Sequence, residues 1–287
     1  MNGVKGVSEL KKYLFITFLI SWLLWSPLLL DSQHISIPGF LMPISMIASF
    51  VPSVTGLLLI YREDGKAGLL EVWNKVTKLD FNKYWLVPTL LLLPVTAAFS
   101  YFIGTGIFGG ESLDISAYVI ITVVVMFFIG GPLGEEFGWR GFLLNHLLER
   151  YSVLRSGIIL GLIWGVWHLP LHFITGSTQE YVPVWADIFM MTVVSVLFTW
   201  IFVNTGRNML VALIFHWSIN LSVILFPYWQ VGGENIEVLP NLWIPTPGML
   251  VGFLVLILVT VIIVCLYRRN LGKINPDRVL SLLVRKI

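Results

Sequence analysis

Two carboxylates and a guanidinium sit together in a chain that is otherwise mostly hydrocarbon. Gly134-Glu135-Glu136-Phe137-Gly138-Trp139-Arg140-Gly141 follows 17 uncharged residues, Tyr118 to Gly134, a run long enough to enter a bilayer as a helix. Ionisable groups at membrane depth are costly and face a protein interior where they do work. Glu136 and Arg140 are four residues apart, in the orientation that favours an ion pair on one helix face. Arg140 then reads as a structural counter-charge. Glu135 points about 100° away on the same helix and is free to face a neighbour. Two later segments, Trp164–His172 and His216–Asn220, supply imidazoles and a carboxamide. His216 and Asn220 share one helix face, and an imidazole with an amide can donate hydrogen bonds to one developing oxyanion. His168 precedes Leu169-Pro170, where proline removes a helical hydrogen bond and frees a carbonyl. His172, four residues beyond His168, has a spacing that can place two imidazoles on one metal, and its role is left open.

These groups must share a depth to act together. If the helices carrying Glu135 and His168 form a hairpin turning near Ser152–Val153, Glu135 lies about 18 residues before the turn and His168 about 15 after it. At ~1.5 Å rise per residue their heights then differ by only about 4–5 Å. A helix entering from the cytoplasmic face near Asn208 places His216 about 12 Å and Asn220 about 18 Å deep by the same rise. Three helices thus bring polar side chains to overlapping levels.

The elements that would carry them are membrane spans. Hydrophobic residues make up 57% of the 287 and charged residues 12%, against roughly 25% charged in soluble domains. Apolar runs near 13–30, 40–61, 84–104, 118–134, 156–173, 184–204, 209–226 and 247–267 predict an all-α, polytopic protein with eight transmembrane helices. With eight spans, all 18 Lys and Arg fall on one side, and the opposite loops carry only acids such as Asp31, Glu111, Asp114, Glu180, Glu234 and Glu237. The positive-inside rule then puts both termini in the cytoplasm of a multi-pass cell-membrane protein. The net charge of +2 is the remainder of that asymmetry and points to no nucleic acid. Cys265, the one cysteine, reads as packing in the last span. The connections are too short for a soluble domain, so residues 1–287 read as a single integral-membrane domain with a motif-bearing core at about 118–226. Residues 67–78 and the tail from Pro276 have the pattern of helices lying on the inner leaflet. Gly130, Gly134 and Gly138, and again Gly157, Gly161 and Gly165, recur every four residues. Such ridges let backbones approach, and their succession predicts a tight hairpin of the fourth and fifth helices.

Glu135-Glu136-x-x-x-Arg140, Trp164-x-x-x-His168 and His216-x-x-x-Asn220 resemble, in order and spacing, the three motifs of the CAAX protease and bacteriocin-processing (CPBP) family. Trp164 stands where that pattern usually has Phe, a conservative change for packing, and His172 lies outside the pattern. The short chain without lumenal domains is closer to the bacterial branch. The resemblance implies an intramembrane endopeptidase hydrolysing peptide bonds near the cytoplasmic leaflet. By analogy Glu135 is the general base that activates water, His168 positions that water, and His216 and Asn220 hold the oxyanion. Glu136 and Arg140 brace the helix. The implied partners are a peptide or membrane-protein substrate and the lipid bilayer. Sequence favours a metal-free site; the alternative is zinc held by Glu135, His168 and His216 with water as the fourth ligand.

Three rivals stand beside the enzyme: a non-catalytic membrane scaffold or regulator, a bacteriocin-immunity protein, and a transporter using Glu135 as proton carrier. The first leaves unexplained why base, second imidazole and oxyanion donors are all present. The last predicts broken helices in duplicated halves, and no internal repeat is found.

Overall fold

A computed structural model describes residues 2–109, 121, 130–227 and 245–267. Among them all regular structure is helical, as expected where lipid offers the backbone no hydrogen-bond partners. The order is α1 (Asn2–Ser32), α2 (Leu41–Ser45), a 3-10 turn, α3 (Val51–Thr77), a second 3-10 turn and α4 (Leu86–Phe108). Then come α5 (Gly131–Gly138), a π turn (Trp139–Leu143), α6 (Leu144–Leu148) and α7 (Val153–Trp167). A 3-10 turn (Leu169–Phe173), α8 (Val184–Asn204), α9 (Met209–Leu225) and α10 (Pro247–Tyr267) complete the described chain.

Six helical stretches among the described residues are long and apolar enough to cross a membrane: Ser8–Ser32, Leu41–Thr77, Lys83–Phe108, Val153–Phe173, Val184–Asn204 and Pro247–Tyr267. Met209–Leu225 is a shorter apolar helix. These match seven of the eight expected runs. Most of the remaining one, 118–134, lies outside the described residues, as do the C-terminal tail and the acids at 111, 114, 234 and 237. The polarity is that of a lipid-solvated protein. Leu250, Leu254, Leu258 and Ile262 of α10 face outward, while Thr96, Ser100, Ser195, Thr199, Ser218 and Ser222 are buried.

The glycine ridges pack tightly, but not against each other. Cβ atoms added at Gly134 and Gly138 would strike the carbonyls of Ser49 and Pro52, and one at Gly56 would come within 2.7 Å of Gly138 Cα. Thus α5 is pressed onto α3, and Phe137 N–H donates to Ser53 Oγ at 3.2 Å. Cβ atoms added at Gly157, Gly161 and Gly165 would come within 3.1, 2.5 and 2.8 Å of the Cα atoms of Val196, Thr192 and Ile188 of α8. The expected hairpin of fourth and fifth helices is therefore replaced by two close pairs, α3–α5 and α7–α8. A four-residue ridge specifies a close approach without naming the partner.

Local chemistry fixes the other carriers. Asn208 caps α9 by accepting from Val211 N–H at 3.0 Å, and its amide donates to Lys78 O at 2.6 Å. Pro94 inside α4 deprives the Leu90 carbonyl of its helical donor, and Ser218 of α9 donates to that oxygen at 3.3 Å. Past Gly65, where φ is +63°, α3 bends, and Leu70 and Trp73 are 59% and 62% exposed. The helix continues past this bend to Thr77, with Lys75 paired to Glu71 at 2.9 Å.

Candidate active site

Glu135 and Glu136 lie on α5, one turn after its start, and both are buried. The expected Glu136–Arg140 pair is present, with Nη1 2.8 Å from Oε1 and both side chains fully enclosed. Arg140 stacks between Trp164 and Phe198, its guanidinium carbon 4.6 Å and 3.6 Å from the ring centres. Cation–π contact of this kind compensates part of the lost hydration. Glu136 does more than brace. The same Oε1 lies 2.5 Å from His216 Nδ1. Because that oxygen also accepts from Arg140, it acts as acceptor toward the imidazole, so Nδ1 carries hydrogen and Nε2 faces away.

Glu135 has a different environment. Its Oε2 accepts from two indoles, Trp139 Nε1 at 3.0 Å and Trp164 Nε1 at 2.7 Å. Among the described residues its Oε1 has no hydrogen-bond partner. Trp139 opens the π turn, where the helix widens by one residue. Tyr13 of α1 meets the same indole edge-on at 5.7 Å between ring centres.

His168 caps the C-terminus of α7 rather than continuing it, because the chain tightens into the 3-10 turn at Pro170. Proline here ends the α-helix at Trp167. Trp22 Nε1 of α1 donates to the Trp167 carbonyl at 3.0 Å and anchors the end. His168 lies 5.8 Å ring-to-ring from Trp164 and makes no direct hydrogen bond to Glu135, although that carboxylate and His216 act on it electrostatically. Its Nδ1 is buried without a partner.

On α9, His216 Nε2 and Asn220 Nδ2 converge on Gly131 at the start of α5. A Cβ there would collide with His216 Nε2 and reach 3.2 Å from Asn220 Nδ2. Asn220 Nδ2 joins His168 Nδ1, Glu136 Oε2 and Arg140 Nε and Nη2 as buried polar atoms with no partner among the described residues. Such orphans in a native interior call for an explanation. Asn220 also borders a cavity of about 280 Å3 between α4, α8, α9 and α10, lined by Leu93, Met190, Met249, Phe253 and Asp187.

His172 is withdrawn from this group. Its Nδ1 lies 3.0 Å from the Val182 carbonyl and its Nε2 3.1 Å from Asp187 Oδ2. With both nitrogens engaged and the helix ended at Trp167, the spacing from His168 has no metal-binding meaning. Asp187, an acid inside an apolar run, was a signal in the sequence that motif reading passed over. Among the described residues no three His, Cys, Asp or Glu side chains have the spacing to hold a metal ion. As placed, Glu135, His168 and His216 do not form a ready three-ligand zinc site.

Comparison with known proteins bears on this geometry. The model of the family described as Type II CAAX prenyl endopeptidase Rce1-like matches residues 117–222. A curated relative, the CAAX prenyl protease 2 of Methanococcus maripaludis, is 25% identical over 233 residues, covering 77% of this chain and 86% of the relative. The chain is thus similar to the CAAX prenyl endopeptidases over its motif-bearing segment. The Rce1-like segment contains Glu135, Glu136, Arg140, Trp164, His168, His216 and Asn220. Together with its apolar helices, the kinship makes it a multi-pass membrane protein.

Proposed function

We propose that the protein is an intramembrane endopeptidase that hydrolyses peptide bonds of a peptide or membrane-protein substrate near the cytoplasmic leaflet, with both termini cytoplasmic. One observation carries this reading. A carboxylate with one oxygen held and the other open shares a buried cluster with an oriented imidazole and an unpartnered carboxamide.

In this mechanism Glu135 Oε1 takes a proton from a water as its oxygen attacks the scissile carbonyl carbon, and His168 holds that water in line. The tetrahedral oxyanion accepts from His216 Nε2 and Asn220 Nδ2. Collapse breaks the C–N bond, and the protonated Glu135 returns its proton to the leaving amine. For Nε2 to donate while Nδ1–H faces Glu136, His216 must be an imidazolium. Its charge, with Arg140 against Glu135 and Glu136, leaves the cluster neutral. General-base assistance contributes about 10²–10⁴-fold, and one oxyanion donor about 10²–10³-fold.

The test is cleavage of quenched fluorescent peptides, with and without a prenyl group, by the purified protein in liposomes. Cleavage by the wild type and its loss in Glu135→Ala and His168→Ala, with melting unchanged, support the proposal. No cleavage by the wild type, or biological activity that survives both substitutions, returns the protein to a scaffold or immunity role, and equal cleavage in both variants removes Glu135 and His168 from the reaction.

A further inference from the structure

We propose that Trp164, with Trp139, is a positioning residue for Glu135: the two indole N–H groups hold one carboxylate oxygen and thereby aim the other at the reacting water. This rests on the reading of Glu135 as the base.

Both indoles converge on the same atom. Trp139 Nε1 lies 3.0 Å and Trp164 Nε1 2.7 Å from Oε2, while Oε1 has no donor among the described residues. A carboxylate bonded on one oxygen from two directions cannot rotate about its terminal bond without breaking both contacts. Its free oxygen therefore has a fixed heading, the pre-alignment a general base needs. Indole donors suit this task. They come from a rigid bicycle, they donate only, and they introduce no charge into the lipid-embedded interior.

Packing alone does not account for the convergence. Trp167 Nε1 and Trp200 Nε1 are also buried, and neither finds a partner. In this interior an indole can remain unsatisfied, yet two of them meet on one oxygen of one acid. Trp164 is further fixed by its neighbours. Arg140 lies over its face at 4.6 Å, and the rings of His216 and His168 are 5.4 and 5.8 Å away. Phenylalanine, usual at this motif position, could keep those ring contacts but has no N–H. What the sequence presents as a packing substitution therefore adds a donor to the base.

The experiment compares Trp164→Phe, Trp139→Phe, the double variant and Glu135→Gln in liposomes, and follows indole N–H resonances of 15N-tryptophan-labelled protein in micelles. Each single variant should lose kcat about 10-fold or more while KM stays within about two-fold, since a bond to a charged group is removed. The double variant should fall further, toward Glu135→Gln. In Glu135→Ala the two indole resonances, assigned by their loss in the Phe variants, should move upfield. Unchanged kcat in both Phe variants while Glu135→Gln is inactive overturns the positioning role. Unmoved indole resonances overturn the contact itself. An active Glu135→Gln instead removes Glu135 as the base, independently of the spectra. Should Trp164→Phe melt early, benzothienylalanine at 164 keeps the bicycle and replaces N–H by sulfur, with the same expected loss of kcat.

Discussion

Glu136 Oε1 binds Arg140 Nη1 at 2.8 Å and His216 Nδ1 at 2.5 Å, so one buried oxygen joins α5 to α9. It ties the ion pair that sequence identified to the imidazole proposed as an oxyanion donor. Removing Glu136 leaves a buried guanidinium unpaired, which costs about 3–5 kcal/mol, whereas replacing both partners by apolar residues of similar volume costs far less. Glu136→Leu should therefore melt well below the wild type, and Glu136→Leu with Arg140→Met should recover much of that loss. Neither should cleave, because His216 loses its orienting acceptor. Thermal melts and peptide cleavage measured on the same preparations check both halves.

Gly131→Ala should disable the site without unfolding the protein. The added methyl would push into His216 Nε2 and approach Asn220 Nδ2. If both are oxyanion donors, turnover should fall by about 10²-fold or more. Wild-type turnover in this variant would remove those atoms from the reaction.

Gly138→Ala and Gly161→Ala should act through stability. At Gly138 the new carbon meets the Pro52 carbonyl and the Tyr13 hydroxyl, and at Gly161 it meets Thr192 Cα at 2.5 Å. Overpacking of backbone against backbone costs about 1–3 kcal/mol or more. Melting temperatures should drop in both. A disulfide between cysteines placed on α7 and α8 near 161 and 192 should form readily in the wild-type background, which reports the pairing directly.

Chelation should leave peptide cleavage unchanged, and purified active protein should carry no stoichiometric zinc. Cleavage that is lost in chelator and restored by zinc would replace the water-activating role of Glu135 with ligation.

Asp187→Asn and His172→Phe should lower the melting temperature, because each strips one member from a buried pair and leaves the other unsatisfied. At temperatures where the variants are folded, kcat should stay near the wild-type value, since the Val182 and Asp187 contacts occupy both ring nitrogens of His172.

Much of this was legible in the residues. Glu136 and Arg140 declare their contact by spacing, since helical geometry puts i and i+4 side by side. Asn208 was recognisable as the point where α9 begins, and the exposed Leu70 and Trp73 fit the surface helix inferred from 67–78. The Glu136–His216 bond was not legible, because 80 residues separate its partners and no local rule links them. Trp164 was taken as packing because an aromatic ring satisfies the motif, and only tertiary placement reveals that its N–H reaches Glu135. The glycine ridges announced close contacts but not with which helix. Four-residue periodicity describes a surface, and the identity of its mate is decided by the whole bundle.

Those ridges also set the width of the interior. Since α5 turns its smooth side to α3 and α7 turns its own to α8, the faces left toward each other are the bulky ones. Trp139, Arg140, Trp164 and Trp167 are the largest groups enclosed anywhere among the described residues. The spacing between these helices is thus set by indole and guanidinium struts, wider than a uniformly glycine-zipped bundle would allow.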